Sequence, residues 1–265
     1  MQTISYNGIR KEIPNCWTEI KRNRKLLLFV LSLFFNKFTK QEILHQVIFK
    51  VLNISKPKQL LIIKDIEKNP NSKHPENLYR LSEIIDFIVE QPLEITENLF
   101  PKIKNLHAPK SVFGECTAWE YALAEKTYFD FAEKETHDYL NKLISILYRP
   151  KKLFKPERKK FDEKKSEKYQ KRIAKIPFEI KWCIFRWFTF QREQIIKAHP
   201  FTFSGGSSGN NEKPNIGAIW TDTILAMSTV GDEDKTANTK LSIILRRIEN
   251  ENKAYQKLKN KTEIN

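Results

Sequence analysis

Two stretches decide the fold: Thr117-Ala-Trp-Glu-Tyr-Ala-Leu-Ala-Glu125 and Leu140-Asn-Lys-Leu-Ile-Ser-Ile-Leu-Tyr-Arg-Pro150. In the first, Thr117 and Glu120 have the Thr-x-x-Glu spacing of a capping box. There the N-cap hydroxyl accepts from a first-turn N–H and the carboxylate returns to the N-cap N–H. The residues that follow bring Trp119, Ala122, Leu123 and Phe129 to one side of a helix. In the second, a helix from Thr136 carries Leu140, Leu143, Ile144, Leu147 and Tyr148 at the helical period, and Pro150 stops it. The pair predicts an amphipathic helical hairpin, and so a core of helix packed on helix.

Working outward, the same period recurs. Asn15 or Thr18 opens a helix running through Phe35. Thr39 and Glu42 form another capping box, ahead of Ile43, Leu44, Val47, Ile48 and Val51. Pro57 suits the first turn of a short helix over 60–66, although Leu60-Leu-Ile-Ile63 reads equally as a strand. Pro75 opens a helix bearing Leu78, Leu81, Ile84, Ile85 and Ile88 that ends at Gln91-Pro92. Residues 92–116, with Pro92, Pro101, Pro109 and Gly114, read as irregular and as a boundary.

Beyond the hairpin, Pro177 opens an aromatic helix with Phe178, Trp182, Phe185, Trp187, Phe188 and Phe190. Ser204-Gly-Gly-Ser-Ser-Gly-Asn-Asn211 reads as a flexible loop, 216–227 around Trp220 as a short helix, and a last helix starts near Thr236 before a polar tail that frays. The expected organisation is an all-α multi-helix bundle. It comprises an N-terminal lobe (1–95), a central domain (96–203), a loop (204–211) and a C-terminal helical segment (212–265).

Composition narrows the function classes. With 265 residues, 40% hydrophobic and 12% aromatic, the chain has the apolar surface to fold. Its first thirteen residues are polar and show no secretory layout, and the apolar run 26–35 is too short to span a membrane. Cys16, Cys116 and Cys183 are scattered and make neither a CxxC pair nor a disulfide framework. A formal net charge of +15 favours nucleic acid, an anionic membrane or an acidic protein as partner.

A search for chemistry returns no catalytic, cofactor-binding or metal-ligating set. His45, His74, His107, His137 and His199 stand alone, and the Gly/Ser stretch lacks the Gly-Lys-Ser/Thr ending of a phosphate loop. Cys116 with His107 or His137 could make a thiol site, but packing beside a helix cap is the preferred reading. Asp232-Glu-Asp234 suits a helix N-terminus through the macrodipole alone. The expectation is a non-enzyme without cofactor.

Two surfaces stand out instead. Residues 149–175 hold thirteen cations against four carboxylates, a net +9. Arg149, Lys151, Lys152, Lys155, Arg158, Lys159, Lys160, Lys164, Lys165 and Lys168 are the candidate partner or nucleic-acid surface, although an ordinary solvated face with ion pairs is the preferred reading of the segment and an acidic protein or nucleic acid the alternatives. Phe178, Trp182, Phe185, Trp187 and Phe190 are the candidate apolar partner surface.

The order of these features resembles proteins encoded in the tail-gene region of tailed bacteriophages and prophages. The resemblance rests on Cys116-Thr-Ala-Trp-Glu-Tyr-Ala-Leu-Ala-Glu125, Leu140–Pro150, Arg158-Lys-Lys-Phe-Asp162, Ile176-Pro-Phe-Glu-Ile-Lys181, Phe190-Gln-Arg192, Pro200-Phe-Thr-Phe203 and Ile219-Trp-Thr-Asp-Thr-Ile-Leu-Ala226. It spans about residues 95–250. It implies a non-enzymatic tail assembly chaperone or minor structural protein that contacts tape-measure or tube protein, in the bacterial host cytoplasm during assembly or in the virion. Nucleic acid bound through 149–175 is the alternative partner.

Overall fold

The computed structural model describes residues 1–6, 9–69, 73–203 and 232–262. The fold is all-α, with two small antiparallel sheets among the described residues. It divides into two compact units, Met1–Glu94 and Ile95–Asn265. The Ser204–Asn211 loop, the 216–227 helix and Gly231 lie outside the described residues.

The first unit begins with a hairpin that the sequence reading missed. Strands β1 (Gln2–Tyr6) and β2 (Ile9–Ile13) pair with Gln2 opposite Ile13. Asn7-Gly8 between them is the strongest short-range hairpin signal a sequence offers. Next come α1 (Trp17–Arg22) and α2 (Arg24–Phe35). One continuous helix was expected here, but Asn23 splits it, because its side chain accepts from the Leu26 N–H at 3.2 Å and so caps α2.

In α3 (Lys40–Val51) the capping box forms in full. Glu42 N donates to Thr39 Oγ1, and Thr39 N donates to Glu42 Oε2 at 2.8 Å. The ambiguous Leu60-Leu-Ile-Ile63 lies inside a helix, α4 (Lys56–Lys68), with Pro57 in its first turn. Then α5 (Lys73–Ile85) gives way at Asp86 to α6 (Phe87–Glu90). Leu27, Val30, Val47, Ile48, Leu78 and Ile85 are among the unit's buried residues.

The second unit holds the expected hairpin. Helices α7 (Ala118–Lys134) and α8 (His137–Leu147) are joined through Glu135, whose left-handed φ of 50° turns the chain. The apolar positions named from periodicity in α8 are fully buried. Ahead of the hairpin, β3 (Lys102–Ile103) pairs with β4 (Leu106–His107), and a 3₁₀ turn (Ser111–Phe113) brings Phe113 inside. After it come α9 (Glu163–Ile173), α10 (Phe178–Ala198), α11 (Pro200–Phe203), α12 (Glu233–Ala237) and α13 (Leu241–Thr262).

Phe113 centres an aromatic core, 5.7 Å from Tyr121, 5.5 Å from Trp187 and 5.3 Å from Phe188 between ring centroids. The final helix, expected as one piece from near Thr236, is interrupted at 238–240. There Thr117 and Lys240 bridge, Ala118 N donates to Thr239 O, and Leu241 N donates to Cys116 O. These bonds dock the start of α7 to the start of α13. The polar end, expected to fray, stays helical through Thr262.

Candidate functional site

The residues that build the site begin with Glu120. The Thr117–Glu120 spacing reads as a capping box, and half of one forms, with Glu120 N donating to Thr117 Oγ1 at 3.2 Å. The carboxylate does not turn back to the cap. It points inward, only 1% exposed, and meets two guanidinium groups. Arg149 Nη1 lies 2.8 Å from Glu120 Oε1 as a charge contact outside hydrogen-bond geometry, and Arg158 Nη2 lies 3.5 Å away. The Cys116 thiol donates to the same oxygen at 3.3 Å.

Arg149 and Arg158 were expected on a basic surface, yet they are 5% and 7% exposed. The correction has a physical cause: a guanidinium enters the interior when a carboxylate is already there to receive it. Arg158 also donates through Nη1 to Leu147 O, an unpaired carbonyl at the end of α8 where a cation is favoured. Arg149 carries its backbone into a bridge with β4, with His107 N donating to Arg149 O at 2.8 Å. Its guanidinium lies 5.8 Å from the Phe161 ring centroid.

These anchors hold the ends of an excursion over residues 150–159. Lys159 N donates to Pro150 O at 2.9 Å, Lys152 N donates to Glu157 O at 2.8 Å, and Lys151 and Arg158 bridge. At its tip Leu153 is 78% and Phe154 97% exposed. Phe154 has φ of 57°, a left-handed conformation that a bulky side chain rarely adopts. Lys151 and Lys155 flank the tip in solvent, and Lys152 pairs with Glu157 at 2.5 Å.

A cleft of about 180 Å³ opens between the end of α8, residues 159–162 and α9. Arg149, Lys159, Lys160, Lys165, Phe161 and Tyr169 line it, with Asp162 at its edge. Asp162 caps α9 by accepting from Lys165 N, and its carboxyl is held below the usual range chiefly by the Lys165 ammonium at 2.6 Å. Ser145 and Ser166 hydrogen-bond to one another at 2.9 Å in the cleft wall. Of the remaining candidate cations, Lys151, Lys155, Lys159, Lys160, Lys164, Lys165 and Lys168 are exposed.

The aromatic helix α10 contributes in part to the interior. Trp187 is buried against Phe113, and Phe185 packs on Tyr128 and Phe131 at 5.1 and 4.8 Å. Phe178 meets His137 at 5.0 Å, and Arg186 lies over Trp182 at 5.8 Å, while Phe190 is half-buried. Of the five candidate residues, Trp187 is buried and Phe178, Trp182, Phe185 and Phe190 are half-buried, with Phe185 and Trp187 packed on α7 and the 3₁₀ turn. An aromatic-dense helix in a chain of this size finds its own core first. The Gln-Arg element is structural too: Gln191 accepts from Val112 N, and Arg192 Nε donates to buried Glu125 at 2.7 Å.

Cys116 is buried, at 1% exposure. Burial, and next the Glu120 charge, push its thiol well above the ordinary range, so the thiolate is disfavoured. Among the described residues no helix is long and apolar enough to cross a membrane. No family model, characterised protein or solved structure matches the chain.

Proposed function

We propose that this chain is a non-enzymatic phage or prophage tail protein that binds tape-measure or tube protein, with the Leu153–Phe154 tip as its contact. The observation that carries the reading is the tip itself. Two large apolar side chains stand almost fully in water at the end of a loop whose base is fixed by two buried arginines. Exposed apolar groups on a rigid support are what a partner site needs, because little order is lost on binding. Lysines beside the tip suit a partner socket rimmed with acidic side chains.

The sequence resemblance supplies the class of partner. The resembling segments within 116–203 build a single packed unit: Glu125 and Arg192 pair across α7 and α10, and Pro200-Phe-Thr-Phe203 is held by Glu249, which accepts from Thr202 N at 2.8 Å. The test is co-purification of the intact chain with the tape-measure and tube proteins of the phage or prophage that carries it. Probing purified particles for the chain separates chaperone from virion component, since a chaperone leaves before the particle is complete. Failure to bind either protein removes the reading.

A second reading is favoured by the exposed cations of 159–168. A row of lysines with Tyr169 beside it suits phosphates and a stacked base. That reading requires affinity that falls steeply with salt.

A further inference from the structure

The cleft lined by Arg149, Lys159 and Lys160 has its own chemistry. Its volume, about 180 Å³, is below that of pockets that enclose whole small molecules, so it suits one compact group rather than a nucleotide or a peptide. Arg149 forms part of its wall while 5% exposed, and its Nε and Nη1 have no hydrogen-bond partner. A buried donor left without an acceptor costs about 1–3 kcal/mol. Nη1 meets Glu120 only as a charge contact, so neither Nε nor Nη1 donates a hydrogen bond.

The charges around it have one sign in excess. Lys159 and Lys160 line the cleft, are exposed, and make no ion pair among the described residues. Lys165 is matched by Asp162, and Arg149 by Glu120. Two exposed lysines and a buried arginine with unspent donors thus line one ion-sized space, with Asp162 already engaged. An anion with two charges and several acceptor oxygens answers this arrangement better than a monovalent carboxylate does.

We infer that the cleft between α8, residues 159–162 and α9 binds a single phosphate-type oxyanion, held by Arg149, Lys159 and Lys160. The site is independent of the tail reading, which concerns the loop tip. Phosphate chemistry reaches a protein as the free ion or as part of a nucleic-acid backbone, and both sources are to be measured.

The experiment is titration calorimetry of the intact chain with inorganic phosphate against a chloride control of equal ionic strength. A parallel arm uses short and long unphosphorylated single-stranded oligonucleotides. The expected result is one phosphate per chain, with Kd of about 1 mM or tighter. The paired variant Lys159→Ala/Lys160→Ala weakens it about tenfold or more while its thermal unfolding without phosphate is unchanged. These two exposed lysines replace the obvious Arg149→Ala variant, whose fold is at risk. The inference is overturned if phosphate binds no better than chloride, if the paired variant binds it equally well, or if only oligonucleotides bind, with affinity growing with their length.

Discussion

Arg149 Nη1 stands 2.8 Å from Glu120 Oε1 with both side chains withdrawn from water, and Arg158 shares that carboxylate. Glu120 therefore holds the base of the projecting loop. Glu120→Ala leaves two buried guanidinium groups without their principal counter-charge, and unfolding stability is expected to fall by about 3–5 kcal/mol in urea titration. By contrast, removing the exposed Lys40–Glu90 pair with Lys40→Ala is expected to cost less than about 1 kcal/mol. Equal losses at the two sites contradict the anchoring role.

The tip is strained where it is most exposed. Phe154 holds a left-handed backbone that glycine adopts freely, and its side chain packs on nothing that would resist its loss. Phe154→Gly is expected to raise stability by about 1 kcal/mol, relief of strain outweighing the added freedom of the unfolded chain. A loss of stability in the same titration means that the ring has a packing role.

The buried thiols set an alkaline limit. Burial, then the Glu179 charge, raises the Cys183 thiol to about 12. A folded-state pKa above the unfolded value contributes stability that is present below the unfolded pKa and is lost as pH rises through the folded one. Stability should thus decline between about pH 9 and 12, by at most ~1.4 kcal/mol per pH unit for this group. Cys183→Ala is expected to flatten the decline; an unchanged slope assigns it to other groups, such as Tyr121 and Tyr148, whose phenols burial raises as well.

How far the sequence spoke depends on which force decided each element. Periodic apolar residues and local caps act within a few positions, so the α7–α8 hairpin and the Thr39–Glu42 box were legible. The Asn7-Gly8 signal was present but passed over for the polar character of residues 1–13. Glu120 misled for a deeper reason. Its spacing to Thr117 fits a cap, yet its carboxylate goes to Arg149 and Arg158, partners 29 and 38 positions away that no local pattern identifies. The same blindness placed both arginines on the surface and put buried Trp187 among the candidate partner residues. The exposed Leu153–Phe154 pair lay unread within the basic segment because composition there is dominated by lysine.

The nucleic-acid reading has a direct check. Replacing Lys159, Lys160, Lys164 and Lys165 together with glutamate removes exposed cations and no buried one. If this face binds nucleic acid, affinity drops sharply and the slope of log affinity against log salt falls by about 3. Unchanged affinity excludes the face.

The most direct measurement is the affinity of the intact chain for purified tape-measure and tube protein, wild type against Phe154→Gly, with both folds verified by unfolding. The account predicts that one of the two proteins binds the wild type and that the glycine variant, at least as stable, binds about tenfold or more weakly, as expected for loss of a central aromatic anchor. Equal affinity of wild type and variant, or no binding by the wild type to either protein, contradicts it.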